Sequence, residues 1–276
     1  MNGGLFVVMR GASPRGYAGF VMSPEFAETM RYLRRIDATG TDEEGTWRGG
    51  SFIRTRSLPL VYDANRVVVL EHGFGLSMEE VSVAADEIQV GLPNRIVEFV
   101  DCAESASLAD GFAAAGWLAE PLGVMVRLRE PDRVVDTGAV RVADQVAIAP
   151  ARMASLNDEV WATGDAAAQV REKQERIARS VPTTHLAVIM DGSVVGYCEV
   201  FELDADVAQI ESVATLPSFR GRGYARAVVS RALELTRDRR LVFLTMDPND
   251  WPQQLYAKLG FDDLGRVLRF RRALLG

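Results

Sequence analysis

A chain of 276 residues has room for two domains of ordinary size, and with 48% hydrophobic and 25% charged residues it can bury real cores. Its net charge of −7 speaks against non-specific nucleic-acid binding, and no apolar run approaches the length of a membrane span. Two cysteines, Cys102 and Cys198, read as reduced thiols of a cytoplasmic protein, and with only His72 and His185 beside them no cluster has metal-ligand spacing.

Residues 1–22 are glycine-rich around a short apolar run, Leu5 to Met9, and read as a flexible tail rather than a signal peptide. Glu25 to Arg35 reads as helix, and Asp42 to Gly50, polar with three glycines, as loop. A strand over Arg66 to Leu70, a helix over Ser77 to Val90, a strand over Ile96 to Asp101 and a strand over Gly123 to Leu128 follow. Pro131, flanked by Arg129, Glu130 and Asp132, reads as a linker. The expected domains are therefore 23–131 and 132–276.

The second half continues with a strand near Ala139 to Val142 and a helix from Pro150, a residue suited to a first helical position, to Val160. Asp165 reads as the cap of a charged helix running to Arg179. Thr184 to Met190 and Ser193 to Glu202 form a hairpin about Asp191-Gly192. A strand over Val207 to Thr215, a helix from Gly223 to Asp238, a strand over Leu241 to Met246, a helix from Asn249 to Leu259 and an extended segment from Phe261 to Arg271 complete the order.

The chemistry concentrates at Arg220-Gly221-Arg222-Gly223-Tyr224-Ala225, between the Val207 strand and the next helix. Two glycines let several backbone N–H groups face one hollow, and the helix behind adds its positive end, so the turn suits a phosphate or diphosphate. The pattern R-x-x-G-x-A after a strand closed by Leu216-Pro217 resembles the acyl-CoA loop of the GNAT superfamily of N-acetyltransferases. Leu255-Tyr256-Ala257-Lys258-Leu259-Gly260-Phe261 resembles that family's L-Y-x-x-L-G-F string, and loop, strand, Asn249 and this string stand in family order.

The resemblance implies an α/β (α+β) fold, a mixed and mostly antiparallel sheet flanked by helices, and an acyl transfer from acetyl-CoA to an amine without a metal. It places the diphosphate on the amides of Gly221 to Ala225, with Arg220 and Arg222 adding charge, and the pantetheine arm along Val213-Ala214-Thr215. It assigns the Val213 N–H to the thioester oxygen, Asn249 to the pantetheine arm or to capping the next helix, and Tyr256 to protonating the departing thiolate. Glu211 is the first choice for the base, with Glu199 and Glu202 as rivals. Trp117 reads as a core residue, and Trp161 and Trp251 read first as packing residues, with the lining of an acceptor pocket as the alternative. The family closes with two antiparallel strands, whereas here the chain ends soon after the first.

The first half repeats part of this plan. Phe112-Ala113-Ala114-Ala115-Gly116-Trp117 aligns with Tyr256 to Phe261, and His72-Gly73-Phe74-Gly75-Leu76-Ser77 with Arg220 to Ala225. The first copy lacks the loop arginines and the tyrosine hydroxyl, and has Ser105 in the place of Asn249. The layout resembles duplicated acetyltransferases of the mycothiol synthase type, two tandem GNAT-like domains with the first degenerate. The acceptor stays open between small amines and peptide N-termini, no nucleic-acid or membrane partner is implied, and a homodimer is allowed. A non-catalytic acyl-CoA-binding module is the competing expectation.

Overall fold

The computed structural model describes residues 23–100, 102–158 and 164–274; the tail 1–22 and Trp161 lie outside them. By their internal contacts the described residues divide into two units. One comprises 23–122, 172–177 and 265–274, the other 123–171 and 178–264.

In the first unit, helix α1 (Pro24–Thr39) starts at Ser23, whose Oγ accepts from the Phe26 N–H, with Pro24 at the first helical position. Strands β1 (Glu43–Trp47) and β2 (Gly50–Arg54) form an antiparallel hairpin where the sequence reads as loop. The strand is polar because it lies at the sheet's edge. Its anchor is Trp47, which packs against the first unit's core and donates from Nε1 to the Val68 carbonyl at 3.2 Å. Strands β3 (Arg66–Val69) and β4 (Asn94–Phe99) are parallel, as a crossover through helix α2 (Met78–Ile88) demands. Helix α3 (Cys102–Ala114) follows β4 and leads into strand β5 (Leu118–Arg127). The core sits between sheet and helices around Phe99, Phe112, Trp117 and Phe270; Trp117 is a packing residue, as expected.

In the second unit, Gly123 to Val126 of β5 pair antiparallel with strand β10 (Leu241–Met246). Beyond β10 stand β9 (Val207–Thr215), β8 (Ser193–Phe201), β7 (Thr183–Met190) and β6 (Val140–Ala143); β10 and β9 are parallel and the rest antiparallel. Residues 123–126 thus take the place, beside β10, of an antiparallel strand that the resemblance puts in this sheet. The final strand, β11 (Phe261–Ala273), begins in this unit and pairs through Leu268–Ala273 with β4 of the first. The segment read as a linker is held down: Leu128 and Arg129 donate backbone N–H to the Gly260 carbonyl, both at 3.0 Å.

Helix α4 (Gln145–Asn157) begins earlier than Pro150. Asp144 caps it through the Ala147 N–H at 2.7 Å, which leaves Pro150 inside the helix. Asp165 is the first residue of helix α5 (Asp165–Ser180) rather than its cap. Helices α6 (Tyr224–Leu235) and α7 (Pro252–Lys258) complete the unit. Its main core joins α6 to β8, β9 and β10 through Cys198, Ile210, Val228, Val229 and Leu244, with Tyr256 and Phe261 at one end.

Candidate active site

Strand β9 is buried from Val207 to Ala214, yet it is paired fully on neither side. Toward β8 the register runs from Glu199↔Glu211 to Tyr197↔Ala214, so β9 carries one extra residue, and Ser212 there has φ of 54°. This is a β-bulge, with a non-glycine residue held in the left-handed region. Toward β10 the parallel ladder covers only Val207 to Gln209, opposite Leu241 to Phe243. Among the described residues nothing pairs β9 to β10 further on, although β10 stays paired with β5 on its other edge as far as Met246. The two strands part, and a cavity of about 520 Å³ opens at the mouth, a size ordinary for a small-molecule site.

The floor of the cavity is Val213, Ala214 and Thr215. Its rim is the glycine loop. A 3-10 turn at Pro217–Phe219 leads to Gly221 and Gly223, with φ of 78° and 83°. A Cβ added to either would meet nothing within 4 Å, so these positions are glycine for backbone conformation while their outer side stays open. Helix α6 starts at Gly223 with no side-chain cap and no acidic residue in its first turn. Its leading amides therefore lack an internal acceptor, and the helix dipole reinforces them.

Among the described residues three arginines line the cavity and no aspartate or glutamate does. Arg220 donates from Nε to the Thr215 carbonyl at 3.2 Å and pairs with Asp158 at 2.7 Å. Arg226, buried, pairs with Asp132 at 2.6 Å and holds that carboxyl below its ordinary range. Arg133 comes from the stretch after β5. Arg222 is outside the lining; it reaches back to the Ser218 carbonyl at 3.3 Å and lies over the Phe219 ring.

The far wall is α7, with Trp251, Pro252, Leu255 and Tyr256. Tyr256 is 2% exposed and edge-on to Phe261. Burial, then the Glu211 carboxylate and Cys198, push its hydroxyl well above the ordinary tyrosine range, so it holds its proton at neutral pH. Trp251, read from sequence first as packing and second as a pocket residue, is 44% exposed and lines the cavity. Asn249 neither lines the cavity nor caps α7. Its backbone N–H donates to Asp247 at 2.8 Å, and the helix is capped at Trp251 with Pro252 at its first position.

The three candidate bases sit in different environments. Glu199 is buried in an ion pair with Arg152, and His185 Nδ1 lies 3.1 Å from the same carboxylate. Burial and the Arg152 guanidinium lower His185 to about 4, so it is neutral. Glu202 is held by Arg239, with contacts at 2.6 and 3.0 Å. Glu211 is 8% exposed, directly opposite Glu199, and accepts from Gln209 Nε2 at 2.6 Å. It lies outside the cavity lining, but it is the one of the three whose charge acts on Tyr256. Among the described residues no group of three or more His, Cys, Asp or Glu could hold a metal ion.

The glycine loop, the β9 floor and Tyr256 are thus brought together as their sequence order suggests, while Arg222, Asn249 and Glu211 stand outside the lining. Arg133 and Arg226 are additions, and Trp251 joins the lining as the second of its two readings allowed. Pro252 offers a signal for the last, since a proline at a helix start places the preceding residue at its cap. Nothing local marks Arg133.

Residues 151–261 match the family described as Acetyltransferase (GNAT) family. Among curated proteins none matches the sequence. Among solved structures, a GCN5-related N-acetyltransferase from Kribbella flavida superposes with a TM-score of 0.59 at 17% identity, over 93% of this chain and 98% of that one. A tandem GNAT protein from the clavulanic acid biosynthesis pathway gives 0.51 at 14% identity, over 86% and 87%. A functionally unknown conserved protein from Staphylococcus epidermidis ATCC 12228 gives 0.61 at 15% identity, over 84% and 93%. At these identities the likeness is one of fold, and it extends over most of the chain. With the family match on the splayed strands and the glycine loop, residues 151–261 are a GNAT acetyltransferase domain.

Proposed function

We propose that the chain is an acyl-CoA-dependent N-acetyltransferase whose chemistry lies in the second unit. The observation that carries this reading is the uncapped start of α6, open amides beside three arginines, at the mouth of a strand splay walled by a buried tyrosine. The amides of Gly221 to Ala225 would hold the diphosphate of acetyl-CoA, and the splay would take the pantetheine arm along Val213 to Thr215. A backbone N–H at the bulge, that of Val213, would polarise the thioester oxygen.

The amine nitrogen of the acceptor attacks the thioester carbon and the carbon–sulfur bond breaks. The proton lost by the amine passes to Glu211, and the thiolate takes one from Tyr256. Tyr256 suits this role because its surroundings keep it protonated until a strong base forms beside it. The acceptor is a small amine or a peptide N-terminus. The setting is cytoplasmic, and no helix among the described residues is long and apolar enough to cross a membrane.

One observation favours a second reading, a non-catalytic acyl-CoA-binding module: Glu211 does not line the cavity. Calorimetry with acetyl-CoA, paired with thiol release across an amine panel, separates them. Binding with acceptor-dependent release supports the transferase, binding without release supports the module, and no binding refutes both.

A further inference from the structure

We infer that Arg133 binds the 3′-phosphate of coenzyme A and makes the cavity selective for the phosphorylated nucleotide over its dephospho form. The inference rests on the acyl-CoA reading above and assigns a residue outside the loop and helix that carry it.

Among the described residues the lining has three guanidinium groups and no carboxylate. Two are committed, Arg220 to Asp158 and the Thr215 carbonyl, Arg226 to Asp132. Arg133 is exposed, and among the described residues its electrostatic partner is the adjoining Asp132, whose carboxylate Arg226 already holds.

The place of Arg133 is nonetheless fixed. The Asp132 N–H donates to the Lys258 carbonyl at 2.8 Å, and its carboxylate accepts from Arg226 at 2.6 Å. These bonds tie residue 132 to the last turn of α7 and the first turn of α6, the two helices that wall the cavity. The next side chain is an uncommitted cation at the rim, near the end of α6 that would hold the diphosphate.

Coenzyme A has two anionic groups of different character. Neutral amides suit the diphosphate, whose charge is spread along a linkage. The terminal phosphate monoester is close to dianionic at neutral pH and is best met by a guanidinium with paired donors. Arg133 is the group left over for it.

The test is calorimetric binding of coenzyme A and 3′-dephospho-coenzyme A to the full chain, in the wild type and in Arg133→Gln. The wild type should prefer coenzyme A by about tenfold or more. The variant should bring the preference below about twofold by weakening coenzyme A alone, and rising salt should erode the wild-type preference as well. Equal affinities in the wild type, or equal weakening of both nucleotides by the substitution, would overturn the assignment. If neither nucleotide binds the wild type, the acyl-CoA reading itself falls; if both bind tightly and equally, only the role of Arg133 does.

Discussion

Two glycine loops, similar in sequence, end in opposite electrostatic states. At the first, α2 is closed by its own side chains: Ser77 Oγ accepts from the Glu80 N–H, Glu80 accepts from the Ser77 N–H at 2.8 Å, and Glu104 accepts from the Gly75 N–H at 2.6 Å. At the second, α6 begins two residues earlier by the alignment, at Gly223, and has no side-chain cap. The glycines serve different ends too. A Cβ on Gly73 would strike the Gly49 backbone, so Gly73 is there for close packing, whereas its counterpart Gly221 faces open space. The aromatic partners diverge likewise: Phe112 is stacked on Phe270 at 4.2 Å inside a closed core, and Tyr256 walls a cavity. A helix end that answers its own donors has little to offer an anion, and one left unanswered has much.

Making the second copy like the first should cost most. Tyr256→Phe, which installs the residue found at position 112, should lower turnover about 100-fold or more while acetyl-CoA affinity changes less than threefold. Steady-state kinetics with calorimetry reads both, and unchanged turnover would remove the general acid. Gly223→Asp supplies a carboxylate cap at a position where aspartate tolerates positive φ. It should weaken acetyl-CoA binding by about 10- to 100-fold, the worth of a charge-assisted contact, while Gly223→Asn weakens it less. The reverse exchange sharpens the contrast. Phe112→Tyr buries a hydroxyl in an apolar cluster and should destabilise the fold by about 1–3 kcal/mol in denaturant unfolding without creating a second binding event. Least costly, Ser77→Ala removes one cap and should cost about 1 kcal/mol of stability with no effect on acetyl-CoA affinity.

Local signals carried much of this. β9 and β10 span Val207–Thr215 and Leu241–Met246, the ranges expected from their apolar runs, and Ser77 announces α2 by a serine three residues before a glutamate. What the sequence hides is tertiary. The partner of β10 is a strand more than a hundred residues upstream, so no local pattern could reveal that 123–126 completes the sheet of the second unit. The β1–β2 hairpin is hidden because an edge strand needs few apolar residues, and Trp47 and Phe52 are the hydrophobic side chains that pack it on the core. Likewise the site's floor and tyrosine are legible as motifs, whereas Arg133, just past the stretch read as a linker, has no local signal and reaches the cavity because Asp132 is pinned between two helices.

Amide hydrogen exchange with and without acetyl-CoA probes the contrast between the loops most directly. Slowed exchange over residues 221–225, with 75–80 unchanged, is the result expected if the uncapped helix start holds the diphosphate. Slowing confined to 75–80, or no slowing at 221–225 under saturating ligand, would contradict it.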